Sequence, residues 1–170
     1  TGVGALCRDL DGDKGRGYTL QIANRLFGQQ GFPFEQPFLN ITSNDYGAGL
    51  APLDFASNPE AARSSINGWV ADKTEQLIDE LFAPGSIDSS VRLVLANAIY
   101  FKAKWAAQFK PTDTVTQSFV RGDGSKVEVP TMWLWDGEHR VADFEGGRAL
   151  DLDYEDGELA MLILLPSESD

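Results

Sequence analysis

The sequence predicts an α+β domain, and three observations predict it. Strand-like stretches outnumber helical ones and do not alternate with them as a parallel α/β wrap requires. Two runs, residues 91–101 and 160–165, are apolar on both faces and read as covered strands. At 170 residues, 42% hydrophobic and 24% charged, the composition is ordinary for a globular chain and supports one domain or part of a larger one.

Residues 1–8 read as the end of a helix, and residues 9–17 (DLDGDKGRG) as a polar, glycine-rich loop. From Tyr18 to Phe27 the chain alternates, with Tyr18, Leu20, Ile22 and Leu26 on one face and Thr19, Gln21 and Arg25 on the other. That is a half-buried strand, closed by Gly28, Gly31 and Pro33. Residues 35–46 read as a short helix and residues 49–55 as a short strand, where Pro52 argues for an edge or irregular position. The clearest helix spans 59–82. Asn58 suits its N-cap, Pro59 its first position and Glu60 the positive end of its dipole. Ala62, Ile66, Trp69, Val70, Leu77, Ile78 and Leu81 form one apolar stripe at 3.6 spacing, and Pro84-Gly85 ends it.

Residues 91–101 read as a central strand, with Asn97 in its middle beside Leu93, Leu95, Ile99 and Phe101 on one face. A buried amide without partners costs about 1–3 kcal/mol, so Asn97 must find hydrogen bonds outside its own strand. Residues 114–121 and 126–134 flank Gly122-Asp123-Gly124 and read as a hairpin. Residues 148–154 and 158–165 flank Asp156-Gly157 and read as a second.

Charge and rare residues exclude several functions. Basic residues number 14 against 26 acidic, which argues against a nucleic-acid binder. The excess is local: residues 136–170 hold 11 acidic and 2 basic residues, leaving 15 and 12 before them, and it reads as a solvated strand face. The single cysteine, Cys7, excludes an internal disulfide and reads as a small buried side chain or an idle thiol. The single histidine, His139, stands in a polar stretch and excludes a multi-histidine metal site. No apolar run is long enough to span a bilayer. Asp9, Asp11 and Asp13 begin like a calcium loop, but Lys14 stands where that loop needs glycine and Leu20 where it needs glutamate. Gly2-Val3-Gly4 lacks the third glycine of a dinucleotide fingerprint. Asn40-Ile41-Thr42 is an N-glycosylation sequon, relevant only to a chain secreted from a eukaryotic cell. No catalytic set, metal site or cofactor site emerges, and the chain is read as not an enzyme. A hydrolase built on the acids of 136–158 would have to lose turnover when single acids there are replaced.

LVLANAIYFKAKWAAQF (93–109) resembles the third strand of sheet A in the serpin family and its continuation, where Leu/Val-x-Asn-Ala-x-Tyr-Phe-Lys-x-x-Trp recurs. INGWVADKTEQLIDELF (66–82) resembles helix F of that family, and YTLQIANRLFGQQGF (18–32) the second strand of sheet A. Residues 114–133, ending in VPTMW, resemble strands of sheet C, and LDYEDGELAMLILLP (152–166) the sheet B hairpin. The matches keep the family's order over nearly the whole chain.

The resemblance implies a partial serpin domain over residues 1–170: sheet A crossed by helix F, plus parts of sheets B and C. The N-terminal helices, the reactive loop and the C-terminal strands are expected to lie outside this sequence. It implies inhibition of a serine, alternatively a cysteine, protease by a covalent suicide-substrate mechanism in which the cleaved loop inserts into sheet A. A non-inhibitory ligand carrier or chaperone on the same fold is the alternative. Asn97 matches the shutter asparagine, Trp105 the breach tryptophan, and Asn67 and Trp69 helix F positions that pack on sheet A; Thr74 and Lys102 are weaker matches. The resemblance further implies a monomer at full length, extracellular with the cytoplasm as alternative, with neither nucleic-acid nor membrane partners.

Overall fold

The computed structural model describes Ala5, Gly15 and residues 17–135, 137–155 and 157–167. Of the helix end expected over 1–8 only Ala5 is described, and of the loop expected over 9–17 only Gly15 and Gly17, both bends; Cys7, the three early aspartates and Asp156 lie outside the described residues. Along the chain run β1 (Tyr18–Gln29), α1 (Gln36–Tyr46), β2 (Leu50–Leu53), α2 (Pro59–Lys73) and β3 (Leu93–Ala103). A 3₁₀ turn (Pro111–Asp113) then leads to β4 (Thr114–Val120), β5 (Lys126–Met132), β6 (Arg140–Phe144), β7 (Gly147–Asp153) and β8 (Ala160–Pro166). The chain divides into two units, the first built mainly from Thr19–Lys102 and the second from Ala103–Asp170.

In the first unit the strands lie in the order β2-β1-β3. β1 and β2 are parallel, with Leu26 opposite Leu50 and Gln29 opposite Leu53. β3 runs against β1, because the Gln29 N–H donates to Arg92 O at 2.8 Å while the Asn97 amide reaches Asn24 at 2.8 Å. β1 extends two residues past the expected Phe27. Gly28 stays inside the strand because it needs no side chain: a Cβ there would meet Phe34 Cε2 at 2.6 Å and Leu50 Cδ1 at 2.7 Å.

Helix α2 lies over one face of this sheet. Phe27 of β1, Ala96 of β3, Ala62 and Ile66 of α2, Phe55 and Ile87 form the core, with Trp69 packed against it. Burying a side chain such as Phe55, which is wholly inaccessible, stabilises by about 1.5–3 kcal/mol. The helix therefore covers the face of Arg25 and Phe27, which alternation had marked as the polar one; the Arg25 guanidinium sits 5.7 Å above the Phe27 ring.

The expected helix over 59–82 ends at Lys73. Thr74 is the C-cap, Glu75 and Gln76 take left-handed φ of 51° and 63°, and the Gln76 N–H closes a 2.8 Å bond onto Ala71 O. This is the long bond of a Schellman cap, made without the usual glycine. Leu77, Ile78 and Leu81 consequently leave the buried stripe and are exposed. Asn58 is the N-cap position but makes no capping bond. Asp54 organises that turn instead, accepting from the Ser57 N–H at 3.0 Å and from the Asn58 amide at 3.5 Å.

Two strands read as covered on both sides are not. In β3, Ala96 and Ala98 are buried, whereas Leu95, Asn97, Ile99 and Phe101 are exposed. β8 is exposed throughout. Among the described residues a second layer is absent from those faces, and apolar content alone does not supply one.

In the second unit β4 and β5 form the expected hairpin, from Thr114 opposite Met132 to Val120 opposite Lys126. Gly124 takes φ 79° in its turn, and Asp123 accepts from the Ser125 N–H at 2.9 Å. β7 and β8 form the second hairpin, and β6, which the sequence reading missed, pairs antiparallel on the other side of β7.

Candidate functional site

The sequence singled out Asn97 as an amide in need of a partner from another strand. The structure supplies Asn24 of β1. Asn97 Nδ2 donates to Asn24 Oδ1 at 2.8 Å and approaches Ala23 O at 3.5 Å. The two side chains share a face because the strands are antiparallel and directly opposed there. Asn24 in turn donates to Tyr46 O at 3.4 Å, at the end of α1. Sequence reasoning passed over Asn24, although the signal was present: it stands in register with Leu20, Ile22 and Leu26, an amide on an otherwise apolar face. The free side of β3 has no strand beside it among the described residues.

Trp105 follows β3 by two residues and belongs to the second unit. It forms an isolated antiparallel bridge with Tyr154, and the two rings stack at 4.6 Å and 11°. The backbone repeats the pairing, with the Ala106 N–H on Asp153 O at 3.0 Å and the Glu155 N–H on Lys104 O at 2.9 Å. Tyr154 is buried and Trp105 half-buried, so the bridge fixes the tryptophan as a rigid plate at the end of the β7–β8 hairpin. Next to it opens a cavity of about 240 Å³, lined by Trp105, Phe109, Leu134, His139, Leu152 and Asp153 among others.

Asn67 and Trp69 behave differently from one another. Trp69 stands edge-on to Phe27 of β1, with centroids 5.6 Å apart and planes at 77°, a favourable aromatic geometry. Asn67 is buried, but its amide is committed to the segment that returns from the helix. Its Nδ2 donates to Phe82 O and its Oδ1 accepts from the Phe82 N–H, both at 2.9 Å. Arg63 Nη1 adds a second donor to Phe82 O at 2.7 Å and touches Glu80 at 3.2 Å. A hydrogen bond from Arg63 holds the Glu60 carboxyl below its ordinary range, and the same bond raises the guanidinium. Asn40 is exposed on α1, where its Oδ1 accepts from Gln36 at 2.9 Å; the Thr42 hydroxyl donates back to Phe38 O at 3.0 Å.

Among the described residues no group of three or more His, Cys, Asp and Glu side chains could hold a metal, and no helix is long and apolar enough to cross a membrane. The acidic alternation near the C-terminal end is partly paired: Arg140 bonds Asp151 at 2.8 Å and Asp153 at 2.6 Å, and Arg148 bonds Asp143 at 2.7 Å.

The architecture and the Asn97 strand together point to one family, and comparison decides it. The family model described as Serpin (serine protease inhibitor) matches residues 1–170. The chain belongs to the serpin family. Antithrombin-III of Mus musculus is 40% identical over 150 residues, covering 86% of this chain and 32% of that protein. Leukocyte elastase inhibitor of Bos taurus is 41% identical over 161 residues, covering 91% of this chain and 41% of that protein. Among solved structures, ovalbumin from emu (Dromaius novaehollandiae) superposes with a TM-score of 0.85 at 30% identity, covering 96% of this chain and 42% of that one. The native stressed conformation of Arabidopsis AtSerpin1 superposes with a TM-score of 0.80 at 29% identity, over 98% and 42%. The serpin sequence described here thus spans 32% to 41% of the length of these two curated relatives. β1, β3 and α2 are the elements that carry the sequence resemblance to the second and third strands of sheet A and to helix F.

Proposed function

We propose that this chain is the part of an inhibitory serpin that holds the closed half of sheet A, the rest of the domain lying in sequence beyond it. The coverage of its relatives supports the partial-domain reading. The reaction proposed is suicide inhibition of a serine protease: the protease cleaves an exposed loop, is trapped as an acyl-enzyme, and the loop inserts as a new strand beside β3. One observation bears most of this reading. The free side of β3 has no strand beside it among the described residues, while Asn97 reaches the other way and ties β3 to β1 through Asn24. A strand added at such an edge gains ladder hydrogen bonds, and a polar tie behind it keeps β3 with β1 during the insertion. In this reading Asn97 is the shutter residue, and Trp105, held by Tyr154, is the breach residue that meets the loop first.

The test is to mix the full-length protein with a panel of serine and cysteine proteases and run the products on denaturing gels after boiling. A covalent band at the summed mass is expected with at least one serine protease. A full-length protein that is only cleaved, or untouched, by every member overturns inhibition and leaves a carrier or chaperone role.

A further inference from the structure

Residues 74–82 are coded as helix and are not helix. Thr74 to Phe82 reads TEQLIDELF, without glycine or proline, and is rich in strong helix formers. Leu77, Ile78 and Leu81 continue the spacing of Ile66 and Val70, yet in the structure Leu77 is 74% exposed and Leu81 45%. What stops the helix is a cap built from unsuitable residues: Glu75 and Gln76, both with left-handed φ, which L side chains rarely adopt. Holding them there are two groups of α2 and the cap residue Thr74. Asn67 grips both backbone polar groups of Phe82, Arg63 takes the same carbonyl, and the Thr74 hydroxyl accepts from the Ile78 N–H at 3.2 Å. A helix running on to Phe82 would move that residue away along the axis and leave the buried Asn67 amide without its partner.

We propose that residues 74–82 form a two-state segment: a strap latched to α2 through Asn67, and, once the latch opens, a continuation of α2 as helix. Local pattern and observed backbone disagree here over a whole turn and more, and a disagreement of this kind is where a second packing of the same residues can compete. The switch is directional. Glycine at 75 and 76 suits the left-handed cap and weakens a helix, so it favours the strap; alanine at both positions does the reverse.

The test reads backbone Cα chemical shifts of residues 75–82 in the full-length protein. In Asn67→Ala they are expected to move to helical values, and adding Glu75→Gly with Gln76→Gly should return them to those of the unaltered strap. Unchanged shifts, or random-coil shifts, in Asn67→Ala overturn the proposal. Should that variant fail to fold, Glu75→Ala with Gln76→Ala keeps Asn67 in place and serves alone: helical shifts over 77–82 are expected, and their absence overturns the two-state reading.

Discussion

Asn97 and Asn24 form a neutral side-chain bond on an exposed sheet face, so its worth is that of an ordinary hydrogen bond, about 0.5–1.5 kcal/mol. Asn97→Ala is expected to cost about that much in urea unfolding of the full-length protein. Asn24→Ala added to it should cost less than Asn24→Ala alone, because the shared bond is already gone and only the long 3.4 Å bond to Tyr46 O is left to lose; simple additivity of the two losses would show that they do not act as a pair. Asp54 offers a pH test. Its carboxyl lies below its ordinary range, chiefly because the Ser57 N–H bonds the carboxylate. A carboxyl depressed in the folded state contributes stability above its unfolded pKa and loses it as pH falls through the folded value. The melting temperature should therefore fall more steeply below about pH 4 in the parent than in Asp54→Asn. At this scale the need of Asn97 for a cross-strand partner was legible, because a lone amide among apolar residues has few ways to be satisfied. Its exposure was not, since that depends on which layers cover β3, and alternation within one strand is silent about layers.

The helices and strands were legible wherever periodicity had an end signal. The hairpin around Gly122-Asp123-Gly124 was read because glycine and aspartate mark the turn, and its strand ends differ from expectation by at most two residues. Helix α2 overran because its stop consists of Glu75 and Gln76, residues that carry no stop signal. β6 was missed because all five of its residues are exposed and it has no apolar face to betray it. Pairing with β7 makes it a strand, helped by Arg140, which spans Asp151 and Asp153. That hairpin has a tight point: a Cβ at Gly147 would lie 2.5 Å from Leu165 O, and backbone cannot step aside as a side chain can. Gly147→Ala is expected to cost about 1–3 kcal/mol, read by thermal unfolding, whereas Gly122→Ala, with open space around it, should cost far less on steric grounds.

For the molecule as a whole, family and fold class were readable because several segments matched in one order, a coincidence that single motifs do not provide. The proposed activity is another matter, since the loop that would choose the protease is expected outside these residues. The exposed runs Leu162–Leu165 of β8 and Leu95, Ile99 and Phe101 of β3 bear on the partial-domain reading. Large apolar side chains exposed in such number along two strands promote association. Residues 1–170 made alone are expected to bind the dye ANS strongly and to sediment as multimers, and the full-length protein to do neither. A dye-silent monomer of the short chain would show that these faces need no cover.

The strand order β2-β1-β3 also has a consequence in time. β1 can meet β2 as soon as residue 53 has been made, but its other side pairs with residues that follow Arg92. At roughly 5–20 residues per second, translation leaves that flank of β1 bare for about 2–10 s. A ribosome that stalls in this interval prolongs the exposure of a nascent chain whose middle strand is still open to any neighbour able to extend alongside it.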